Sequence, residues 1–91
     1  MSITILFTPA GASRAQYDDS ISGLEKNGPW PPDGMEYHVA FGEGTSFRVL
    51  EVWESQEKAN AFAERLMPLL KDIGIDPGQP EVGEVINVIK G

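Results

Sequence analysis

Apolar positions along this chain recur with two different periods, and the switches between them mark out six elements in the order β-α-β-β-α-β. Residues Ser2 to Thr8 are rich in β-branched and aromatic side chains and stop at Pro9 and Gly11, which predicts a first strand. Ser13 with Gln16 three positions on has the spacing of a capping box. Tyr17, Ile21 and Leu24 then follow at helical spacing, and Lys26-Asn27-Gly28 supplies a basic last turn and a glycine stop. Pro29-Trp30-Pro31-Pro32-Asp33-Gly34 is a loop, because its prolines lack backbone donors and fix φ. Glu36 to Phe41 and Ser46 to Glu54 read as two strands around Gly42-Glu43-Gly44-Thr45, a hairpin connection.

The second helix has the clearest pattern. Ser55 is placed to cap it, Glu57 suits the positive end of its dipole, and Ala59, Phe62, Ala63, Leu66, Leu69, Leu70 and Ile73 form one apolar face. Pro68 removes one internal hydrogen bond and predicts a kink, and Gly74 with Ile75 resembles a Schellman stop. After the connector Asp76-Pro77-Gly78-Gln79-Pro80, residues Val82 to Ile89 read as a last strand. This order gives an α+β, ferredoxin-like sandwich: a four-stranded antiparallel sheet with both helices on one face, in a single domain over residues 1–91.

A hairpin turning around Glu43-Gly44 sets Val39 opposite Arg48 and His38 opposite Val49, with Glu51 diagonal to His38. It sorts Tyr37, Val39, Phe41, Leu50 and Val52 onto one face, and His38, Ala40, Phe47, Val49, Glu51 and Trp53 onto the other. The first set reads as the core beneath the helices and the second as the open face. In the last strand Val82, Ile86 and Val88 suit the helix side, and Val85, Asn87 and Ile89 the open side. An open face so apolar exceeds the ~400 Å² patch that soluble domains tolerate, so a second copy of the chain is the expected cover. Such an interface should bury at least ~1,600 Å² and leave a small apolar pocket on the open face.

Composition narrows the partners. Seven basic against fourteen acidic residues give a net charge of −7, which repels nucleic acid and anionic membranes alike. There is no cysteine and only one histidine, so a thiolate or multi-histidine metal site within one subunit is excluded. The first residues have no basic start and only a short apolar run, unlike a signal peptide or a membrane span, so a cytoplasmic location is expected. No phosphate loop, nucleophile turn or metal-spaced carboxylate cluster occurs, and no cofactor is expected.

The strand Arg48-Val49-Leu50-Glu51-Val52-Trp53-Glu54-Ser55 entering a helix with Phe62, Leu66 and Pro68, together with the closing Pro80-Glu81-Val82, resembles the dimeric α/β-barrel superfamily over roughly residues 2 to 90. Within it the chain is most similar to small bacterial proteins related to antibiotic-biosynthesis monooxygenase domains. The resemblance implies two subunits with sheets face to face, and a range of chemistry that includes cofactor-free oxygenation of polyketide phenols. Oxygenases of that group use an asparagine, a tryptophan and a histidine or tyrosine at the pocket; Asn87, Trp53 and His38 are the corresponding residue types here.

Read as residues, His38 is a general base oriented by Glu51, or a histidine satisfied at a subunit interface. Glu51 is an acid among apolar neighbours that needs Arg48, His38 or a group across the dimer as partner. Trp53 and Phe47 form an aromatic wall for a small apolar or aromatic ligand, or an interface core. Trp30 is a lid or a packing anchor, and Asn87 a ligand contact or a strand bridge. These six residues are the candidate site of an enzyme, a cofactor-independent monooxygenase-like protein acting on a small aromatic or polyketide-like compound. The alternative is a small-molecule-binding or stress-related structural dimer without catalysis.

Overall fold

The computed structural model describes residues 2–91 and contains β1 (Ile3–Phe7), α1 (Arg14–Asn27), β2 (Met35–Phe41), β3 (Arg48–Trp53), α2 (Gln56–Ile73) and β4 (Glu81–Glu84). The strands form one antiparallel sheet in the order β2-β3-β1-β4. Both helices pack on the same face, where Leu24 of α1 and Phe62 of α2 meet Ile3, Ile5 and Trp53. This is the ferredoxin-like α+β arrangement that the pattern predicts, and the sheet is open rather than closed into a barrel.

The helix ends form as their sequences direct. The Ser13 hydroxyl accepts from Gln16 N at 3.1 Å while Gln16 Oε1 accepts from Ser13 N at 2.8 Å, so two of the orphan donors of α1 are satisfied reciprocally. α2 runs through Pro68 without ending and stops at Gly74, whose φ of 89° is open to glycine at no steric cost. There Ile75 N donates to Leu70 O at 2.9 Å and buries its side chain against Leu70, which completes a Schellman motif.

The hairpin departs from expectation by two residues. Its turn is closed by Ser46 N donating to Glu43 O at 2.8 Å, so it is centred on Gly44-Thr45 rather than Glu43-Gly44. His38 therefore stands opposite Glu51, and Val39 opposite Leu50. A shift of two preserves the parity of the pleat, so the two sets of residues stay together as sets.

Their orientation is the reverse of the sequence reading. Val49, Glu51, Trp53 and His38 face the helices, and Tyr37, Val39 and Phe41 face outward, half-exposed. Bulk decides it: Trp53 is the largest fully buried side chain of the protein, and the helices close over it through Phe62.

The last strand is also shorter than expected. In the register with β1, Glu84 is opposite Ile3, and Val85 N donates to Ser2 O beyond it. Residues 85–91 leave the sheet and border a wide depression on the open face together with Thr4, Tyr37, Val39, Leu50 and Val52. Ile86 there is 99 % exposed.

Candidate active site

β3 alternates its side chains, so Glu51 and Trp53 both point beneath the helices, and β2 brings His38 directly opposite Glu51. His38 Nδ1 lies 3.0 Å from Glu51 Oε2. Trp53 Nε1 donates to Glu51 Oε1 at 3.1 Å, and the Tyr17 hydroxyl, reaching down from α1, lies 2.8 Å from His38 Nε2. Four side chains from three elements thus form one continuous hydrogen-bonded chain.

Donor and acceptor capacity fix its polarity. The indole can only donate, so Glu51 Oε1 accepts. With Glu51 as carboxylate, Oε2 also accepts, which puts the proton of a neutral His38 on Nδ1 and leaves Nε2 as the acceptor for the Tyr17 hydroxyl. Glu51 is only 4 % exposed, and a carboxylate so buried is tolerable because both its oxygens are paired. Among the described residues no buried side-chain nitrogen or oxygen lacks a partner. Burial, reinforced by Asp18 and opposed by Arg14, with a smaller contribution from Glu51, holds the Tyr17 pKa above that of an ordinary phenol.

Tyr17, His38 and Glu51 border a small cavity of about 60 Å³ between sheet and helices, whose other walls include Phe7, Ile21, Phe47, Phe62 and Leu66. The pocket is therefore beneath the helices and not on the open sheet face as the sequence reading placed it. Two larger surface grooves flank it. One of about 510 Å³ runs between α1, the Trp30 loop and β2, with Asp18, Glu25 and Glu36 among its residues; the other, of about 380 Å³, lies beside the hairpin with Arg14, Phe41 and Phe47.

Trp30 is half-buried and meets His38 edge to face with 5.4 Å between ring centres. Its loop is anchored by Arg65 of α2, whose guanidinium donates to Leu24 O at 2.8 Å, Asn27 Oδ1 at 2.7 Å and Pro29 O at 2.7 Å while stacking on Phe62. A Cβ at position 28 would come within 2.9 Å of that guanidinium, so Gly28 makes the approach possible.

Of the six candidate residues, His38, Glu51, Trp53, Phe47 and Trp30 converge on one side of the sheet. Asn87 does not. It lies on the departed tail and borders the depression on the opposite face, where it bridges no strands. Tyr17 was missed as a polar participant, because its helical spacing marks it only as part of an apolar stripe. The signal available was chemical: a tyrosine in a buried stripe needs a partner for its hydroxyl, and the lone histidine is a natural one. Among the described residues no three His, Asp or Glu side chains converge as a metal site requires, and no helix is long and apolar enough to cross a membrane.

No family model and no curated protein matches the sequence. Solved structures do match its fold. MupZ from Pseudomonas fluorescens superposes with a TM-score of 0.70 at 15 % identity, over 89 % of this chain and 69 % of that one. SnoaB, a cofactor-independent oxygenase from Streptomyces nogalater, superposes with a TM-score of 0.62 at 13 % identity, over 99 % of this chain and 96 % of its own. A provisionally assigned antibiotic biosynthesis monooxygenase from Deinococcus radiodurans gives a TM-score of 0.59 at 14 % identity, over 99 % and 100 % of the two chains. At such identities the likeness is one of fold, and the fold of this protein is the ferredoxin-like α+β fold that these structures share.

Proposed function

We propose that this protein is a cofactor-independent enzyme that removes a proton from a small aromatic or polyketide-like compound, as a step toward oxygenation by dioxygen. The observation that carries this reading is the chain Tyr17–His38–Glu51–Trp53, which holds an imidazole between a phenol and a buried carboxylate at the edge of an apolar cavity. His38 Nε2 accepts the substrate proton. Glu51 holds the ring and stabilises the imidazolium, and Trp53 Nε1 keeps the carboxylate oriented. Phe47 and Trp30 wall the approach. The likeness to SnoaB is one of fold and supports the class of chemistry, not the substrate.

Oxygen uptake with a panel of phenols and naphthols tests it. Loss of the base should lower kcat by about 10²–10⁴-fold in His38→Ala, and Glu51→Gln should fall with it; full turnover by His38→Ala would remove the assigned base. The small volume of the inner cavity, well under the ~300 Å³ of ordinary ligand pockets, favours a second reading, a binding or stress-related dimer without catalysis. That reading expects ligand binding with no oxygen uptake by any variant.

In either case we infer a homodimer joined through the outward face of the sheet, because Tyr37, Val39 and Phe41 leave an apolar surface that a second copy would cover. Sedimentation at micromolar concentration should return twice the chain mass; a well-behaved single-chain mass would sink this inference.

A further inference from the structure

Two side chains border all three spaces around the site. Tyr17 and His38 line the inner cavity of about 60 Å³, the groove of about 510 Å³ beside Trp30 and the groove of about 380 Å³ beside the hairpin. Ile21 is shared by the first two, and Phe47 by the first and third. The partition between interior and surface is therefore narrow, and one 2.8 Å hydrogen bond between a helix and an edge strand spans it.

The two bonds of His38 are unequal in support. Nδ1 is held by a buried carboxylate that Trp53 fixes from the other side. Nε2 is met by one half-buried phenol, which is protonated at neutral pH and so a donor. Rotation of Tyr17 would leave Nε2 as an acceptor open to the grooves, with Phe47 and Ile21 beside it.

We propose that Tyr17 is a latch: in the free protein its hydroxyl takes the position at His38 Nε2 that a ligand hydroxyl takes, and displacing it joins the inner cavity to a groove of ligand size. The joined space suits a neutral planar apolar ring carrying one hydroxyl, which donates to Nε2 while its ring lies against Ile21 and Phe47. Asp18, Glu25 and Glu36 on the larger groove disfavour carboxylates and other anions. The latch rests on the reading of His38 as the group that receives the substrate's proton, and it explains how so small a cavity can serve that role.

Phenol is the probe, with toluene as its counterpart lacking the hydroxyl. His38 is the only histidine of the chain, so its ring nitrogen resonances report on the site without ambiguity. Phenol should perturb Nε2, and Tyr17→Phe, which removes the competing donor and keeps the ring, should bind phenol about three- to tenfold more tightly, the span of one hydrogen bond. Toluene, which has no hydroxyl to replace the one displaced, should bind more weakly than phenol to both proteins. Unchanged or weaker phenol binding by Tyr17→Phe overturns the latch, and toluene binding as tightly as phenol to Tyr17→Phe overturns exchange of hydroxyls. Ile21→Trp should plug the shared throat and abolish the perturbation of Nε2; its full survival would put phenol elsewhere and also overturn the proposal. Tight phenol binding by Tyr17→Phe without oxygen uptake by any variant supports the latch while refuting catalysis.

Discussion

The two faces of this sheet are similar in their share of apolar residues and opposite in what they do with their polar ones. Beneath the helices Glu51 and His38 are drawn into a chain of hydrogen bonds with Trp53 and Tyr17. On the outward face Tyr37, Val39 and Phe41 stand half-exposed, and what polar groups meet them are cations over rings, Lys90 over Tyr37 at 5.5 Å and Arg48 over Phe41 at 4.9 Å. Burial of a charge is tolerated where every lone pair finds a donor, so the polar residues mark the more deeply buried side. A face that is merely apolar lacks that signature and is free to meet a second surface.

The contrast breaks most visibly at Trp53. Trp53→Ala should cost about 3–5 kcal/mol from lost packing alone, more with Glu51 Oε1 left unpaired, measured as a fall in the urea midpoint. An equal loss from Phe41→Ala in the dissociated chain would erase the distinction between the faces. Next in size, Glu51→Ala orphans both Trp53 Nε1 and His38 Nδ1 and should destabilise by about 1–3 kcal/mol for each group; a Glu51→Ala chain as stable as the parent would show that the network is dispensable to the fold. On the outward face, Val39→Asp should shift chain stability by no more than about 0.5 kcal/mol while weakening self-association in sedimentation. The smallest effect is at alkaline pH. Because the folded Tyr17 pKa lies above the ordinary phenol value of 10.0, the unfolded chain loses this proton first, and stability that is intact below pH 10 declines as pH rises toward the folded value. Tyr17→Phe should flatten that limb of the denaturation profile, and an unaltered slope would assign it to other groups.

Helix positions, caps and the order of strands were legible because each is encoded locally: Ser13 with Gln16, Ser55 before an apolar stripe, Gly74 with Ile75. The faces were harder. Gly42-Glu43-Gly44-Thr45 offers two turn centres of the same parity, so the sequence could group His38 with Glu51 but not set them opposite each other. Nor does alternation say which group lies under the helices when both are apolar; the volume of Trp53 and the needs of Glu51 settle that, and both are long-range properties. Asn87 was misplaced for a related reason. Its segment has strand-like residues throughout, yet β4 pairs with β1 only as far as Glu84 opposite Ile3, and Asn87 lies beyond that pairing.

Arg65 has a consequence for the environments in which the site can hold its shape. All three of its acceptors, Leu24 O, Asn27 Oδ1 and Pro29 O, are uncharged, unlike the carboxylates that hold Arg14 and Lys58 on the surface. Mobile ions screen exposed charges from one another over a Debye length, which shrinks to about 3 Å at 1 M and so to the span of these pairs, but have far less purchase on a guanidinium bound to carbonyl dipoles. In strong brine the ties of Arg14 and Lys58 should loosen while the tryptophan wall beside His38 stays where it is.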